Sequence, residues 1–381
     1  MRVVVAMSGG VDSSVVAGLL HEAGHDVIGV TLQLYDHGVA TGRRGACCAG
    51  QDIHDARQVA DHLGIPHYVI DAEARFREAV IRDFADSYAA GETPVPCVRC
   101  NQSVKFTDLY ALARDLGAER LATGHYVRRV DRPDGPWLLR AADPARDQSW
   151  FLFATTREQL AFALFPLGTV PAKAAVRGEA TRLGLPVAAK PDSQDICFVP
   201  SGNYADVVGR MRPESLRPGE IVAEDGRVIG RHEGLARYTV GQAKRLGPAA
   251  QTRSGDRRVV VGLDPARNQV LAGPATGGST GVTLRDVNWL ADRPSAPGPC
   301  RVKLRARAAL QDATVGATPG NGAQVTLAIP TLAAPGQACV FYDGQRILGG
   351  GFICPPPPAG SAVDGRLAGA LSPAPSGEMA A

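Results

Sequence analysis

The first third of the chain alternates short apolar runs with amphipathic stretches. Val3-Val4-Val5-Ala6-Met7 is uninterrupted and predicts a buried strand over 2–7. Apolar residues at helical spacing predict helices over 12–23, 52–63 and 102–116, and further apolar runs predict strands over 26–34, 67–70 and 120–123. That rhythm of strand and helix predicts an α/β unit with a parallel sheet covered by helices on both faces. Ligands of such sheets sit at the carboxyl ends of the strands, where the first loop lies.

From about Arg217 the texture changes. Gly, Pro and β-branched residues rise, helical periodicity disappears, and segments such as 257–263 and 324–329 read as antiparallel strands. Two small β units dividing near 273–281 account for this stretch. The expected organisation is therefore an N-terminal catalytic domain over 1–205, a small β-rich central domain over 206–272, a C-terminal β unit over 273–355 and a disordered Pro/Gly/Ala/Ser-rich tail over 356–381.

Composition narrows the class. A length of 381 residues favours two or three compact units. The formal net charge of +3 is too small to indicate a nucleic-acid binder, so any polyanion site must come from local clustering. No stretch reaches the apolar length needed to span a bilayer. The opening apolar run is too short for a secretory h-region and Asp12 follows at once. With eight dispersed cysteines and no such leader, reduced thiols in a cytoplasmic protein are expected, and clustered cysteines read first as catalytic or metal-binding.

Ser8-Gly9-Gly10-Val11-Asp12-Ser13-Ser14 follows the first strand and opens the first helix. Glycines let the backbone approach an anion, and the helix start offers unpaired N–H groups at the positive end of its dipole. Ser13 and Ser14 add hydroxyls, and Asp12 is suited to orient the loop or hold Mg²⁺. The loop lacks the lysine of a Walker A motif, so it is not built to grip a transferring γ-phosphate. It resembles the SGGxDS loop of the ATP-pyrophosphatase (PP-loop) superfamily, whose members split ATP between the α- and β-phosphates and adenylate a substrate oxygen. Adenine contacts are expected near Thr31 and Leu32 and at Gly124.

Three cysteines have informative neighbours. Cys97-Val98-Arg99-Cys100 is a CxxC, and Cys197 ends the run Asp192-Ser193-Gln194-Asp195-Ile196-Cys197. A CxxC suits thiol exchange or shared metal ligation, both of which need an accessible thiolate; Arg99 and the nearby helix terminus are the expected stabilisers. Cys300, Cys339 and Cys354 read as small apolar fillers, and Cys47-Cys48 as structural.

Six blocks occur in order: SGGVDSS, the Thr93–Phe106 block TPVPCVRCNQSVKF, ATGHY, RDQSWFL, DSQDICF and the Gly230–Gln242 block. Together they resemble the bacterial tRNA 2-thiouridylases over about 1–354. The resemblance implies a C-terminal β-barrel that contacts tRNA, and a reaction in which ATP with Mg²⁺ adenylates the C2 oxygen of the wobble uridine in tRNAs for Lys, Glu and Gln. It implies a persulfide on Cys197, a nucleophilic Cys100, a transient Cys100–Cys197 disulfide and a role in catalysis for Asp12. ATP would be held by Ala6, Met7, Ser8, Gly9, Gly10, Val11, Asp12, Ser13, Ser14, Leu32 and Gly124. Positions matching tRNA contacts are Val95, Pro96, Cys97, His125, Arg146, Asp147, Gln148, Arg305, Ala306 and Gln337. A cysteine desulfurase or a relay protein would deliver the sulfur, and a monomer is expected.

One departure stands out. Many relatives carry Asp where this chain has Cys97, and three thiolates at Cys97, Cys100 and Cys197 are a possible ligand set for a [4Fe–4S] cluster. Independently of the resemblance, Arg301, Lys303, Arg305 and Arg307 alternate with apolar residues. On a strand this places four cations on one face, suited to phosphate contact.

Overall fold

The computed structural model describes residues 1–35, 48–192, 196–199, 203–251 and 257–356. The proline-rich tail beyond 356, Cys47 and Ser193-Gln194-Asp195 lie outside the described residues, as does the side chain of Cys48.

The N-terminal sheet has strand order β3-β2-β1-β4-β7, with β1 at Arg2–Ala6, β2 at Asp26–Gln33, β3 at His67–Asp71, β4 at Arg120–Ala122 and β7 at Ala163–Leu164. All its pairings are parallel. Burial on both faces explains the unbroken apolar run of β1. Val3 and Val5 pack towards Val15, Val16 and Ala17 of helix α1 (Val11–Glu22), whereas Val4 joins Phe106 and Leu109 on the other side. Because β2 and β4 flank β1 on opposite sides, a crevice opens at its carboxyl end. Helix α2 (Cys48–Leu63) covers the same face as α1.

The predicted helix over 102–116 starts earlier than its periodicity suggested. Helix α3 (Pro96–Cys100) runs without a break through a π turn at Asn101–Lys105 into α4 (Phe106–Asp115). Proline at the first helical position fixes that start, so both cysteines of the CxxC lie on the opening turn.

The central unit comprises β8 (Gly219–Ala223), β9 (Val228–His232), β10 (Arg258–Asp264) and β11 (Gln269–Pro274). The expectation of antiparallel pairing fails at one place, since β11 pairs with β8 in parallel, Gln269 opposite Glu220. Beyond it, β12 (Ser279–Trp289), β13 (Gly298–Lys303), β14 (Gln311–Thr318), β15 (Gly322–Thr331), β16 (Ala338–Asp343) and β17 (Arg346–Ile353) form a six-stranded barrel, closed by the β12–β17 pairing. A hairpin from the N-terminal part, β5 (Val127–Arg132) and β6 (Gly135–Arg140), extends that sheet where Leu139 pairs with Arg346. Phe106, Trp150, Phe153, Leu290, Val340 and Phe352 share one core across this junction. Among the described residues, no helix is long and apolar enough to cross a membrane.

Candidate active site: a nucleotide pocket beside three thiols

The loop between β1 and α1 owes its shape to glycine. Gly9 has φ +71°, and a Cβ there would collide with the backbone carbonyl of Asp52 on α2. Gly10 is the extended residue before the helix, and its carbonyl accepts from the Ser14 hydroxyl at 2.8 Å and the Ser13 hydroxyl at 3.3 Å. The Ser8 amide donates to Ser13 Oγ at 3.1 Å. Ser14 is fully buried, so its hydroxyl braces the loop rather than offering itself to a ligand. Lys190 holds the loop from below, donating to Gly9 O at 3.0 Å while paired with Asp52 at 2.7 Å and Asp55 at 2.5 Å.

Above the loop is a cavity of about 230 Å³. Ala6, Met7, Ser8, Asp12, Ser13, Leu32 and Gly124 line it, together with Lys105, His125 and Gln148. Gly9, Gly10, Val11 and Ser14 shape the loop without lining the cavity. Gly124 is packed against the start of α1, where a Cβ would come within 3.0 Å of the Ser13 amide nitrogen. Thr31 serves structure: its hydroxyl lies 2.8 Å from both Met7 O and His67 Nε2.

Asp12 stands at the cavity edge with both oxygens engaged. The Tyr126 hydroxyl donates to Oδ1 at 2.6 Å, and Lys173, opening helix α5 (Lys173–Arg182), reaches the two oxygens at 2.6 and 2.7 Å. Lys173 also pairs with Asp192 at 3.0 Å, and Asp192 accepts from Arg146 at 2.9 Å and Arg177 at 3.1 Å. Burial alone would raise the Asp192 carboxyl, but Lys173 and Arg146 outweigh it and hold it below its ordinary value. Asp12 is thus paired to a lysine and a tyrosine through both of its oxygens.

Cys100 is buried on α3, while Cys97 and Cys197 are exposed. The three thiols lie within electrostatic reach of one another and of Lys105. Burial raises all three, and Cys197, with the neighbouring thiols adding to the effect, is pushed up to about 12. The opposing cation is Lys105. Arg99, the expected stabiliser, turns away to Asp83 at 3.6 Å and Asp286 at 3.4 Å, with its guanidinium over the Phe352 ring. Among the described residues no group of three or more Cys, His, Asp or Glu side chains is arranged to hold a metal ion. Nothing among the described residues marks Cys97, Cys100 and Cys197 as ligands of a [4Fe–4S] cluster.

The segment ahead of α3 is fixed by the barrel. The Thr93 amide donates to Pro335 O at 2.7 Å, Gln337 donates to Thr93 O at 3.0 Å, and Arg285 grips both carboxylate oxygens of Glu92. Val95 and Pro96 are buried at the helix start.

The three family profiles that match fall in chain order. The tRNA methyl transferase HUP domain matches residues 1–201, the tRNA methyl transferase PRC-barrel domain 205–274, and the aminomethyltransferase β-barrel domain 279–353. The tRNA-specific 2-thiouridylase MnmA of Acidiphilium cryptum is 68% identical over 353 residues, spanning 93% of this chain and 100% of the relative. The chain belongs to the tRNA-specific 2-thiouridylase family. Relatives of the same name from Gluconobacter oxydans and Rhodospirillum centenum are each 61% identical over 358 residues, covering 93% and 92% of this chain and 99% and 91% of their own. The enzyme is a tRNA-uridine 2-sulfurtransferase. A solved 4-thiouridine synthetase–RNA complex with bound ATP is a distant likeness, at 15% identity and a TM-score of 0.32 over 56% of this chain and 50% of that one.

In this thiouridylase the positions matched to tRNA contacts differ in setting. Arg146 is exposed, whereas His125 and Gln148 face the nucleotide cavity. His125 is held near Thr123 at 2.8 Å; burial, and then Lys105, push its pKa down to about 3. The Asp147 carboxylate is turned inward, only 2% exposed, onto Arg140 at 2.8 Å and the amides of Ala141 and Ser149. Arg305 donates to Val240 O at 3.0 Å and Leu332 O at 3.4 Å, joining the central unit to the barrel, with Ala306 half-buried beside it.

The four-cation face is corrected. β13 ends at Lys303, and Val302, Lys303 and Leu304 are all buried in succession, so the alternation stops before Arg305. Arg301 meets its cross-strand neighbour Asp312 at 3.5 Å. Of the filler cysteines, Cys339 is fully buried, while Cys300 and Cys354 are half-buried.

Sequence reasoning missed Lys173, Lys190 and Tyr126 as partners of the loop. Tyr126 and Lys105 lie inside blocks already singled out, and their proximity to motif residues was the available signal. Lys173 opens a helix 161 residues from Asp12, and no local pattern marks it.

Proposed function

We propose that the enzyme thiolates the wobble uridine of tRNAs for Lys, Glu and Gln through an adenylated intermediate. ATP, entering with Mg²⁺, occupies the cavity over the glycine loop. The uridine C2 oxygen bonds to the α-phosphorus, the N3 proton passes to water, and pyrophosphate leaves with the electron pair of the broken P–O bond. A persulfide on Cys197, loaded by a cysteine desulfurase or a relay protein, attacks C2 and expels AMP. Cys100 thiolate then attacks Cys197 Sγ, whose S–S bond breaks towards the nucleoside. This leaves 2-thiouridine after N3 is reprotonated, and a Cys100–Cys197 disulfide that an external thiol must reduce before the next turnover.

One observation carries this reading. Lys105 links the nucleotide cavity to the three thiols, since it lines the cavity and lies within electrostatic reach of Cys97, Cys100 and Cys197. An activated carbonyl and a sulfur nucleophile have to meet without crossing the protein, and this arrangement supports that meeting. Extruding a single uridine into such a site fits recognition of an unpaired anticodon base. We assign tRNA contact to Val95, Pro96, Cys97, His125, Arg146, Asp147, Gln148, Arg305, Ala306 and Gln337, the inward-facing members acting through the backbone they hold. A monomer working in the cytoplasm completes the reading.

The test is nucleoside mass spectrometry of tRNA after incubation with ATP, a cysteine desulfurase with cysteine as the persulfide source, and a thiol reductant. Wild type should form 2-thiouridine at the wobble position with one AMP released per thiolation. With a desulfurase as donor, Cys100→Ser and Cys197→Ser should each abolish product. Product formation by Cys197→Ser under those conditions would refute the persulfide assignment.

A further inference from the structure

Lys105 differs from the other two lysines at the nucleotide loop. It is half-buried in the cavity wall, and among the described residues no hydrogen bond or ion pair engages its ammonium. The other two lysines at the loop are committed, Lys173 to Asp12 and Asp192, and Lys190 to Gly9 O, Asp52 and Asp55. A partly desolvated ammonium without an anion is unfavourable unless one arrives with a ligand. Asp12 shares the cavity, but its two oxygens are already taken.

The backbone explains how Lys105 comes to this place. Residues Asn101–Lys105 form a π turn, in which i to i+5 bonding replaces i to i+4. The turn carries the chain from Cys100 to Lys105, which lines the cavity and lies within electrostatic reach of the Cys100 thiol. An inserted turn of this kind weakens a helix and persists where the resulting side-chain placement is used.

We propose that Lys105 is a catalytic residue that contacts the α-phosphate of ATP and of the adenylated uridine, and neutralises the charge developing there in both half-reactions. The proposal rests on the adenylation reading above. When uridine oxygen bonds to the α-phosphorus, charge builds on the non-bridging oxygens before pyrophosphate departs. When sulfur bonds to C2, the C2–O bond breaks, its electron pair goes to the phosphate, and AMP leaves with one more negative charge than the phosphodiester carried. A fixed cation at that oxygen favours both transition states over their ground states. Its position beside the thiols puts the phosphate between the attacking sulfur and the glycine loop, the order the second displacement needs. Unlike a Walker lysine, it reaches the nucleotide from the side of the sulfur chemistry.

Two measurements test this. Lys105→Met and Lys105→Arg are assayed for AMP release with tRNA and a sulfur donor, separating kcat from KM for ATP, with melting temperature as a control on folding. Lys105→Met should lower kcat by roughly 10²-fold with KM changed by less than about threefold, and Lys105→Arg should recover part of the rate. A Lys105→Met kcat within about threefold of wild type, or a loss confined to KM for tRNA, overturns the proposal. Independently of turnover, acetic anhydride labelling of wild type read by peptide mass spectrometry should show Lys105 protected by ATP and Mg²⁺. Unchanged labelling overturns the contact. Protection without any AMP formation would leave Lys105 as a phosphate ligand and refute the adenylation reading instead.

Discussion

Lys173 Nζ lies 2.6 Å from Asp12 Oδ1 and 3.0 Å from Asp192 Oδ1, so one ammonium ties the nucleotide loop to the chain leading into Cys197. The two carboxylates belong to segments 180 residues apart. Neither lysine nor carboxylates are freely solvated: their side chains are 11%, 32% and 20% exposed. The pairing therefore exceeds the near-zero contribution of a surface salt bridge.

Lys173→Met should consequently disturb both ends. It leaves Asp12 and Asp192 facing one another without their shared cation, and Asp12 retains only Tyr126. We expect AMP formation to fall by roughly 10²-fold, with a drop in stability of about 1–3 kcal/mol. Pyrophosphate release and a denaturant titration measure the two effects. Loss of stability with unchanged pyrophosphate release would confine Lys173 to a structural part.

Gly9→Ala is predicted to cost more than its size suggests. An L-residue at φ +71° costs about 1–2 kcal/mol, and the new methyl would meet the Asp52 carbonyl in addition. The loop must then shift, which moves the Ser8 and Gly10 groups that shape the cavity. Equilibrium binding of ATP should weaken at least tenfold, while Gly64→Ala, also at positive φ but with no atom near the added methyl, should leave ATP affinity unchanged.

His125 gives the enzyme an acid-sensitive component. Its pKa is about 3 when folded, against 6.5 for a free histidine, because burial and then Lys105 disfavour the imidazolium. Between those values the unfolded chain binds the extra proton, so stability rises with pH across the window and is lost as pH falls below about 6.5. The slope from this group is about 1.4 kcal/mol per pH unit at most. Melting temperatures of wild type and His125→Gln should therefore converge as pH is lowered from 6.5 to 4.5. Parallel curves would place the imidazole in contact with solvent.

Much of this was legible in the sequence, and the failures share a cause. The unbroken apolar run of Val3-Val4-Val5 announces a strand buried on both faces, and the glycine loop after it announces the crevice. Local pattern carries both. The charge stripe from Arg301 to Arg307 misled because alternation predicts a face only while the strand lasts, and β13 ends at Lys303. The parallel β11–β8 pairing and the hairpin that joins the barrel at Leu139 depend on contacts between distant segments, which no window of sequence contains. The same holds for Lys173. Lys105 was inside a quoted block, but its use depends on a π turn that propensity does not foresee.

Arg285 and Glu92 provide the most direct check on how the barrel serves the thiols. The pair is bidentate, with Glu92 only 11% exposed, and it sits directly before the segment whose Thr93 is bound by Pro335 and Gln337. Burial works against the charge on Arg285, but Glu92 outweighs it and holds the guanidinium above its ordinary value. Arg285→Ala would leave a nearly buried carboxylate without its cation, a loss of about 1–3 kcal/mol. Glu92→Gln keeps the shape and one hydrogen bond and should lose less. Because α3 starts four residues beyond Glu92, loosening this anchor should shift the position of Cys97 and Cys100 relative to Cys197. We expect the rate of Cys100–Cys197 disulfide formation in an oxidant titration to fall in Arg285→Ala and to be restored by Glu92→Ala in the double variant, which removes the stranded charge. A double variant no faster than Arg285→Ala alone would show that the contact itself, and not the unpaired carboxylate, sets the geometry of the thiols.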